Sequence, residues 1–181
     1  GEHIANNLEW AEFGRGNHYL CNLVGLIFSA AYLPADNRTD RWLTYGYWAL
    51  LREVERQFHE DGGNFEASIG YHRLSSEAVA VATAVILGLP EDRKSRMLSR
   101  PNRALQPLPG AAERIDGVSV NDPFPDWYKE RLASMARFSR GTLRPDGRIP
   151  QFGDNDNGRI LKLITMIIPD ESGASEDVLD H

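Results

Sequence analysis

Apolar residues recur along this chain at helical intervals, and glycine, proline and short polar runs break the recurrence. Leu20, Leu23, Val24, Ile27 and Ala31 follow at three and four residues, which predicts a helix with one face in a core, capped by Asn17 and ended by Pro34. A second helix is predicted from about Arg41 to His59, with Thr39 or Asp40 as its cap. Leu43, Tyr47, Leu50, Leu51, Val54 and Phe58 form its apolar side, and Arg52, Glu55 and Arg56 its outer side. Asp61-Gly62-Gly63 stops it. After Ser68 a third helix runs to Leu89; Leu74, Ala78, Val81, Ala82, Val85 and Ile86 occupy more than one face, which predicts burial on most sides.

The remaining segments are less regular. Ile4 to Phe13, carrying Leu8 and Trp10, is a short helix candidate broken by Gly14-Arg15-Gly16. Pro125 opens a fourth long helix, Asp126 to about Leu143, with Trp127, Leu132, Met135 and Ala136 inside. Between them, residues 90–122 read as an irregular connection rich in proline, with a short helix around Asp92 to Ser99. Ile160 to Ile168, short and β-branched, fits a helix or a strand. Together these segments predict an all-α chain of antiparallel helical hairpins.

Composition narrows the class. The chain has 181 residues, 41% hydrophobic and 25% charged, which suits a single domain with a real core. Its net charge of −6 argues against a global grip on nucleic acid, so an anionic partner would need a local cluster of Arg and His. Cys21 stands alone and cannot form an internal disulfide; its apolar surroundings favour a small buried hydrophobe. The apolar runs are interrupted too soon for a membrane span. Both ends read as cut, so residues 1–181 are expected to be one partial domain of a longer protein.

Three polar clusters carry the candidate chemistry. In the first, Arg15, Asn17 and His18 sit at a helix start, where free N–H groups and the positive dipole end favour a carboxylate ligand. The plainer reading of Asn17 is a cap. The second runs from Asp61 to Arg73, where a glycine-broken loop enters a helix and sets out Glu66, Tyr71, His72 and Arg73. A phenol titrates near about 10, and cationic neighbours favour its phenolate, so Tyr71 can shuttle a proton. A lone Tyr or His at a helix start is more often structural. If neighbouring hairpins pack side by side, the two helix starts share one end of the bundle. The third cluster spans Gln151 to Arg159, with Asp154 and Asp156. It fits an EF-hand badly, since Gly158 falls one place early and Thr165 stands where the bidentate glutamate belongs. An Asx-rich turn, or a polar wall in which Gln151, Asp154 and Arg159 hold sugar hydroxyls, remain open. Trp42, Tyr45, Tyr47 and Trp48 lie at helical spacing and read as core rather than a sugar-stacking platform.

Three stretches then carry a resemblance: Gly16-Asn17-His18-Tyr19-Leu20-x-Asn22-Leu23-Val24-Gly25-Leu26, Asp61-Gly62-Gly63-Asn64-Phe65-Glu66-x-Ser68-x-x-Tyr71-His72, and Gly153-Asp154-x-Asp156-x-Gly158-Arg159. In this order they resemble the heparinase II/III-like family of polysaccharide lyases, which includes related alginate lyases. The resemblance implies part of an (α/α) toroid, with the β-sandwich region that follows it in the family absent from this chain. It implies β-elimination on a uronic-acid-containing anionic polysaccharide or oligosaccharide. Asn17 and His18 would neutralise the substrate carboxylate, Tyr71 would donate a proton to the leaving oxygen and in some members also serve as base, Arg73 would touch the carboxylate, and His72 would join it as a substrate contact. No cofactor is expected in this segment; a metal ion would belong to the missing region. The family points to a periplasmic or secreted bacterial protein and leaves the oligomeric state unknown. Two other readings stand beside it: an (α/α)-toroid glycoside hydrolase pairing Glu66 with Asp154 or Asp156, and a non-catalytic glycan-binding domain.

Overall fold

Asp36 begins the longest helix. Its carboxylate accepts from the backbone N–H groups of Arg38 at 2.9 Å and Thr39 at 2.7 Å, and the Thr39 hydroxyl accepts from Asp36 N at 2.9 Å. This reciprocal box satisfies donors that the first turn leaves orphaned. The helix therefore starts a few residues before the expected Thr39 or Asp40 cap.

The computed structural model describes residues 1–12, 16–107, 109–154 and 160, and the backbone of 167–169 and 175–177. Its helices are α1 (Glu2–Asn6), α2 (Asn17–Tyr32), α3 (Asn37–Gln57), α4 (Ile69–Leu87), α5 (Glu91–Ser99) and α6 (Asp126–Gly141). Among the described residues the strands are β1 (Ile167–Pro169) and β2 (Ser175–Asp177), a short antiparallel pair in which Ile167 faces Asp177. The body is all-α, as the apolar periodicity predicts. Where Ile160 to Ile168 left two choices, the last two residues fall in β1. The first helix is shorter than expected. Asn7 Nδ2 donates to His3 O at 2.8 Å, satisfying a terminal carbonyl, and the chain then turns across α2, where Glu9 N donates to Asn22 Oδ1 at 2.6 Å.

The brief link 33–36 folds α2 and α3 into a hairpin, and α2 also packs on α4. The other face of α3 takes α5, while α6 packs on α4 and α3. Trp42, Tyr45, Tyr47 and Trp48 are all at most 5% exposed, so the aromatic run of α3 is core. Tyr47 donates to Pro123 O and Tyr128 exchanges a 2.7 Å bond with Thr83, which ties the irregular connection and α6 to the centre. Between α5 and α3, Asp40 receives Arg96 at 3.0 Å and Arg93 at 3.4 Å, and Arg93 also donates to Ala30 O at 2.9 Å. A buried carboxylate is thus matched by two guanidinium groups.

This path puts the starts of α2 and α4 at one end of the bundle, with the C-terminus of α3 between them in sequence. The turn leaving α3 is held by His59 N to Gly63 O and Gly62 N to His59 O, each 2.9 Å, and Arg131 donates to Phe58 O. Gly62 has φ +93, and a Cβ there would lie 2.2 Å from the Ser134 carbonyl carbon in α6. Only glycine allows that approach. Gly62→Ala should therefore destabilise the fold by about 2–4 kcal/mol. Gly110→Ala, where a Cβ meets nothing within 4 Å, should stay within about 1 kcal/mol of the parent. Urea unfolding of both variants checks the contrast.

Candidate functional site

The start of α2 has no capping side chain of its own, because its N-cap residue is Gly16. Glu66, from the loop before α4, supplies the acceptor. Its Oε1 receives Asn17 N at 2.9 Å, and the Asn17 amide Nδ2 approaches Oε2 at 3.1 Å and Oε1 at 3.4 Å. Asn17 is consequently the first residue of the helix and not its cap. The place at the dipole end that the sequence suggests for a substrate carboxylate is filled by the protein's own carboxylate.

The loop that carries Glu66 is itself constrained. Phe65 N donates to Gln57 O at 2.9 Å, Glu66 N to Asn64 Oδ1 at 3.0 Å and Ala67 N to Asn64 O at 3.2 Å. Ala67 adopts φ +54, a left-handed conformation uncommon for a residue with a side chain. Ser68 then caps α4 by accepting from Tyr71 N at 3.2 Å.

The third cluster docks on that same cap. Ile69 N donates to Phe152 O at 3.1 Å, and the Ser68 hydroxyl donates to Asp154 O. Gly153, with φ +72, lies between them; a Cβ there would sit 2.9 Å from Ala67 O and Ser68. The first and second clusters are thus joined through Glu66, and the second and third through Ser68 and Ile69.

The individual side chains differ in what they can do. Tyr71 is partly exposed, and among the described residues no partner is found for its hydroxyl. His18 faces solvent with Nδ1 2.8 Å from Glu9 Oε2, a contact that holds the Glu9 carboxyl below its usual range. Arg73 is partly buried and already engaged within the chain. Gln151 and Asp154 are exposed, Gln151 Nε2 donating to Gly153 O at 3.2 Å. Arg15, Asp156 and Arg159 lie outside the described residues.

His72 is placed differently from the substrate contact expected of it. Its ring is 2% exposed, Nε2 lies 2.9 Å from Ser139 Oγ, and the Phe138 ring centroid is 4.7 Å away. Residue 72 falls on the side of α4 that meets α6. Burial pushes its pKa down, so the neutral imidazole packs there. A sugar contact from it would require α6 to move.

Two residues not singled out in the sequence also shape the site. Gln57 Nε2 donates to Glu53 Oε2 at 2.9 Å and to Gly16 O at 3.3 Å, with both side chains at most 3% exposed. They hold the backbone just ahead of Asn17. The signal was present in the chain: two polar residues four apart interrupt the apolar side of α3. Nearby, Tyr19 and Tyr45 share a buried 2.8 Å hydroxyl contact, and burial raises the Tyr45 phenol.

A helical-hairpin scaffold with polar motifs gathered at one end defines the class. Residues 1–90 match the family described as Heparinase II/III N-terminus, and the chain belongs to that heparinase II/III-like family. A heparin-sulfate lyase of Pedobacter heparinus is 24% identical over 141 residues, covering 78% of this chain and 17% of that protein. A heparin-sulfate lyase of Bacteroides stercoris is 33% identical over 58 residues, covering 32% of this chain and 9% of its own length. The chain therefore matches less than a fifth of either relative. No solved structure matches it. No single helix among the described residues is long and apolar enough to cross a membrane.

Removing the Glu66 carboxylate should loosen the start of α2 before anything else. Glu66→Ala is expected to cost about 1–3 kcal/mol of stability through the lost cap and charge-assisted bonds. Amide exchange at Asn17, read by NMR or mass spectrometry, should accelerate more than exchange in the middle of α3.

Proposed function

We propose that this chain forms the helical part of a polysaccharide lyase site that cleaves a uronic-acid-containing glycan by β-elimination. The meeting of the first two motifs with Gly153 and Asp154, the described start of the third, at one end of the bundle supports this most directly, with Glu66 holding Asn17 to the loop that leads into Tyr71. The relatives' names add heparin sulfate as the type of substrate to test first.

The chemistry follows from the side chains. A proton beside a carboxylate leaves only if the charge of the enolate-like intermediate is stabilised. In this reading the exposed His18 imidazole and Arg73 face the substrate carboxylate, and the Asn17 amide, held by Glu66, fixes the helix start that presents His18. Glu66 keeps that helix start in one orientation, so little reorganisation is needed as charge develops. On the same reading Tyr71 as phenolate takes the proton from the carbon beside the carboxylate, the C–O bond breaks, and the phenol so formed returns that proton to the departing glycosidic oxygen, so no water is consumed. Substrates of this kind are met in the periplasm or outside the cell, which is where this reading sets the protein.

A hydrolase would need Glu66 as one of two free carboxylates. Its engagement with both donors of Asn17 favours a positioning role instead. The product separates the two chemistries, since elimination leaves an unsaturated, ultraviolet-absorbing sugar end and hydrolysis does not.

Tyr71→Phe in the full-length protein should lower the rate of ultraviolet-absorbing product formation by about 10²–10⁴-fold. Affinity for the uncleaved glycan should change by less than about threefold, because the ring remains and only the hydroxyl is lost. Retention of full activity would remove Tyr71 from the mechanism.

A further inference from the structure

The end of the bundle away from Tyr71 carries a different kind of site. Where α3 begins and α5 ends, a cavity of about 490 Å³ is lined by Asn37, Arg41, Arg100, Pro101 and Arg103. A second hollow of about 520 Å³ shares Asn37 and Arg41 and extends toward Arg38 and Trp42. Three guanidinium groups therefore line one concave surface of a chain whose net charge is −6.

Many cations elsewhere in the chain are paired with carboxylates. Arg93 and Arg96 share Asp40, Arg96 also meets Asp92, Arg52 meets Glu55 and Glu113, and Lys129 meets Asp122 and Asp126. Among the described residues, no carboxylate pairs with Arg41, Arg100 or Arg103. Arg41 instead donates to Ala104 O at 2.6 Å, and Arg100 donates to Asn37 Oδ1. Those bonds fix two of the guanidinium groups without neutralising them. Arg103 is exposed and has no such bond among the described residues. Two carboxylates stand at the second hollow: Asp36, which lines it, caps α3 and stands 3.7 Å from Arg38, and Glu2, which takes Arg38 at 2.6 Å, so both are engaged away from Arg41, Arg100 and Arg103. Like charges held around one space repel, and an oxyanion between them relieves the repulsion through charge-assisted, forked hydrogen bonds.

We propose that this cavity binds the sulfate or carboxylate groups of an acidic glycan at a distance from the elimination site, so that a long chain is held at both ends of the helical bundle. The proposal rests on the lyase reading for the nature of the ligand. The α3 helix between the two ends is about 30 Å long at 1.5 Å per residue, so a short oligosaccharide cannot occupy both sites.

The test uses the full-length protein with Arg103→Gln and with the pair Arg41→Gln and Arg103→Gln. Calorimetry, with Tyr71→Phe added to parent and variants so that the glycan is not cleaved, compares binding of a sulfated uronate octasaccharide, its desulfated counterpart, and inorganic sulfate. The double variant should weaken octasaccharide binding by about tenfold and the single variant by a smaller factor. With Tyr71 intact, elimination on a tetrasaccharide should be unchanged in both, while KM for long polysaccharide rises. Loss of affinity for both the sulfated and the desulfated octasaccharide identifies carboxylate as the bound group, and loss for the sulfated form alone identifies sulfate. Unchanged octasaccharide affinity in the double variant would overturn the proposal. So would inorganic sulfate binding as tightly as the octasaccharide, since that describes an isolated ion site. If the parent protein shows no elimination but the arginine variants still weaken octasaccharide binding, the lyase reading fails and the cavity assignment stands.

Discussion

The start of α2 needs an acceptor that its own neighbourhood does not carry. Gly16 offers no side chain, and Asn17 stands inside the first turn. The acceptor comes from Glu66, 49 residues further on, and that single carboxylate takes the backbone and amide donors of Asn17. A cap supplied from so far away fixes more than a helix end. It requires the loop after α3 to return to α2 in one register, and the bonds from Phe65 to Gln57 and from Ala67 to Asn64 hold it there. Gly62 must then lie against the backbone of α6, which no larger residue permits. The position of α4, and of Tyr71 in its first turn, follows from the same loop.

Beneath this contact the protein keeps a polar layer inside an otherwise apolar helix packing. Glu53 and Gln57 are buried in α3, and Gln57 reaches the carbonyl of Gly16. Such groups cost free energy unless they are bonded, so they restrict the arrangements in which α2 and α3 can pack. Apolar side chains alone would tolerate small slips between the helices. A carbonyl, an amide and a carboxylate in fixed order do not. The site end of the bundle is thus specified by polar bonds, while the middle is specified by aromatic bulk from Trp42, Tyr45, Tyr47 and Trp48.

The helices were legible because their apolar spacing is a local property of the chain. The four long helices and α5 fall close to their predicted spans, and the aromatic residues of α3 are core. The ends were less legible. Asp36 begins α3 ahead of the residues expected to cap it, and α1 stops at Asn6 because Asn7 closes it. Both errors come from side-chain bonds that outrank propensity. For the site, the clustering of motifs could be anticipated, but not the partners. Nothing local links Asn17 to Glu66, or Ser68 to the carbonyl of Asp154. His72 shows the same limit from the other side, because whether a histidine after Tyr71 faces solvent or α6 depends on where a helix more than fifty residues away comes to rest.

For the glycan proposed as ligand, the carboxylate at the start of α2 changes how the charge has to be met. An anion placed at a helix N-terminus uses the orphan N–H groups and the dipole together. Glu66 already occupies that position, so a second carboxylate arriving there would meet like charge. Recognition at this end must then fall on side chains that project beyond the helix start, such as the exposed His18. One histidine and a pre-engaged arginine give a modest attraction for a polyanion. On the proposed lyase reading, that suffices to orient a single uronate at the reacting carbon, where tight ground-state binding would not speed the reaction. Holding a long chain is a separate demand. The unpaired arginines at the opposite end of α3 can meet it without burdening the chemistry, because they touch neither Tyr71 nor the residues that position Asn17.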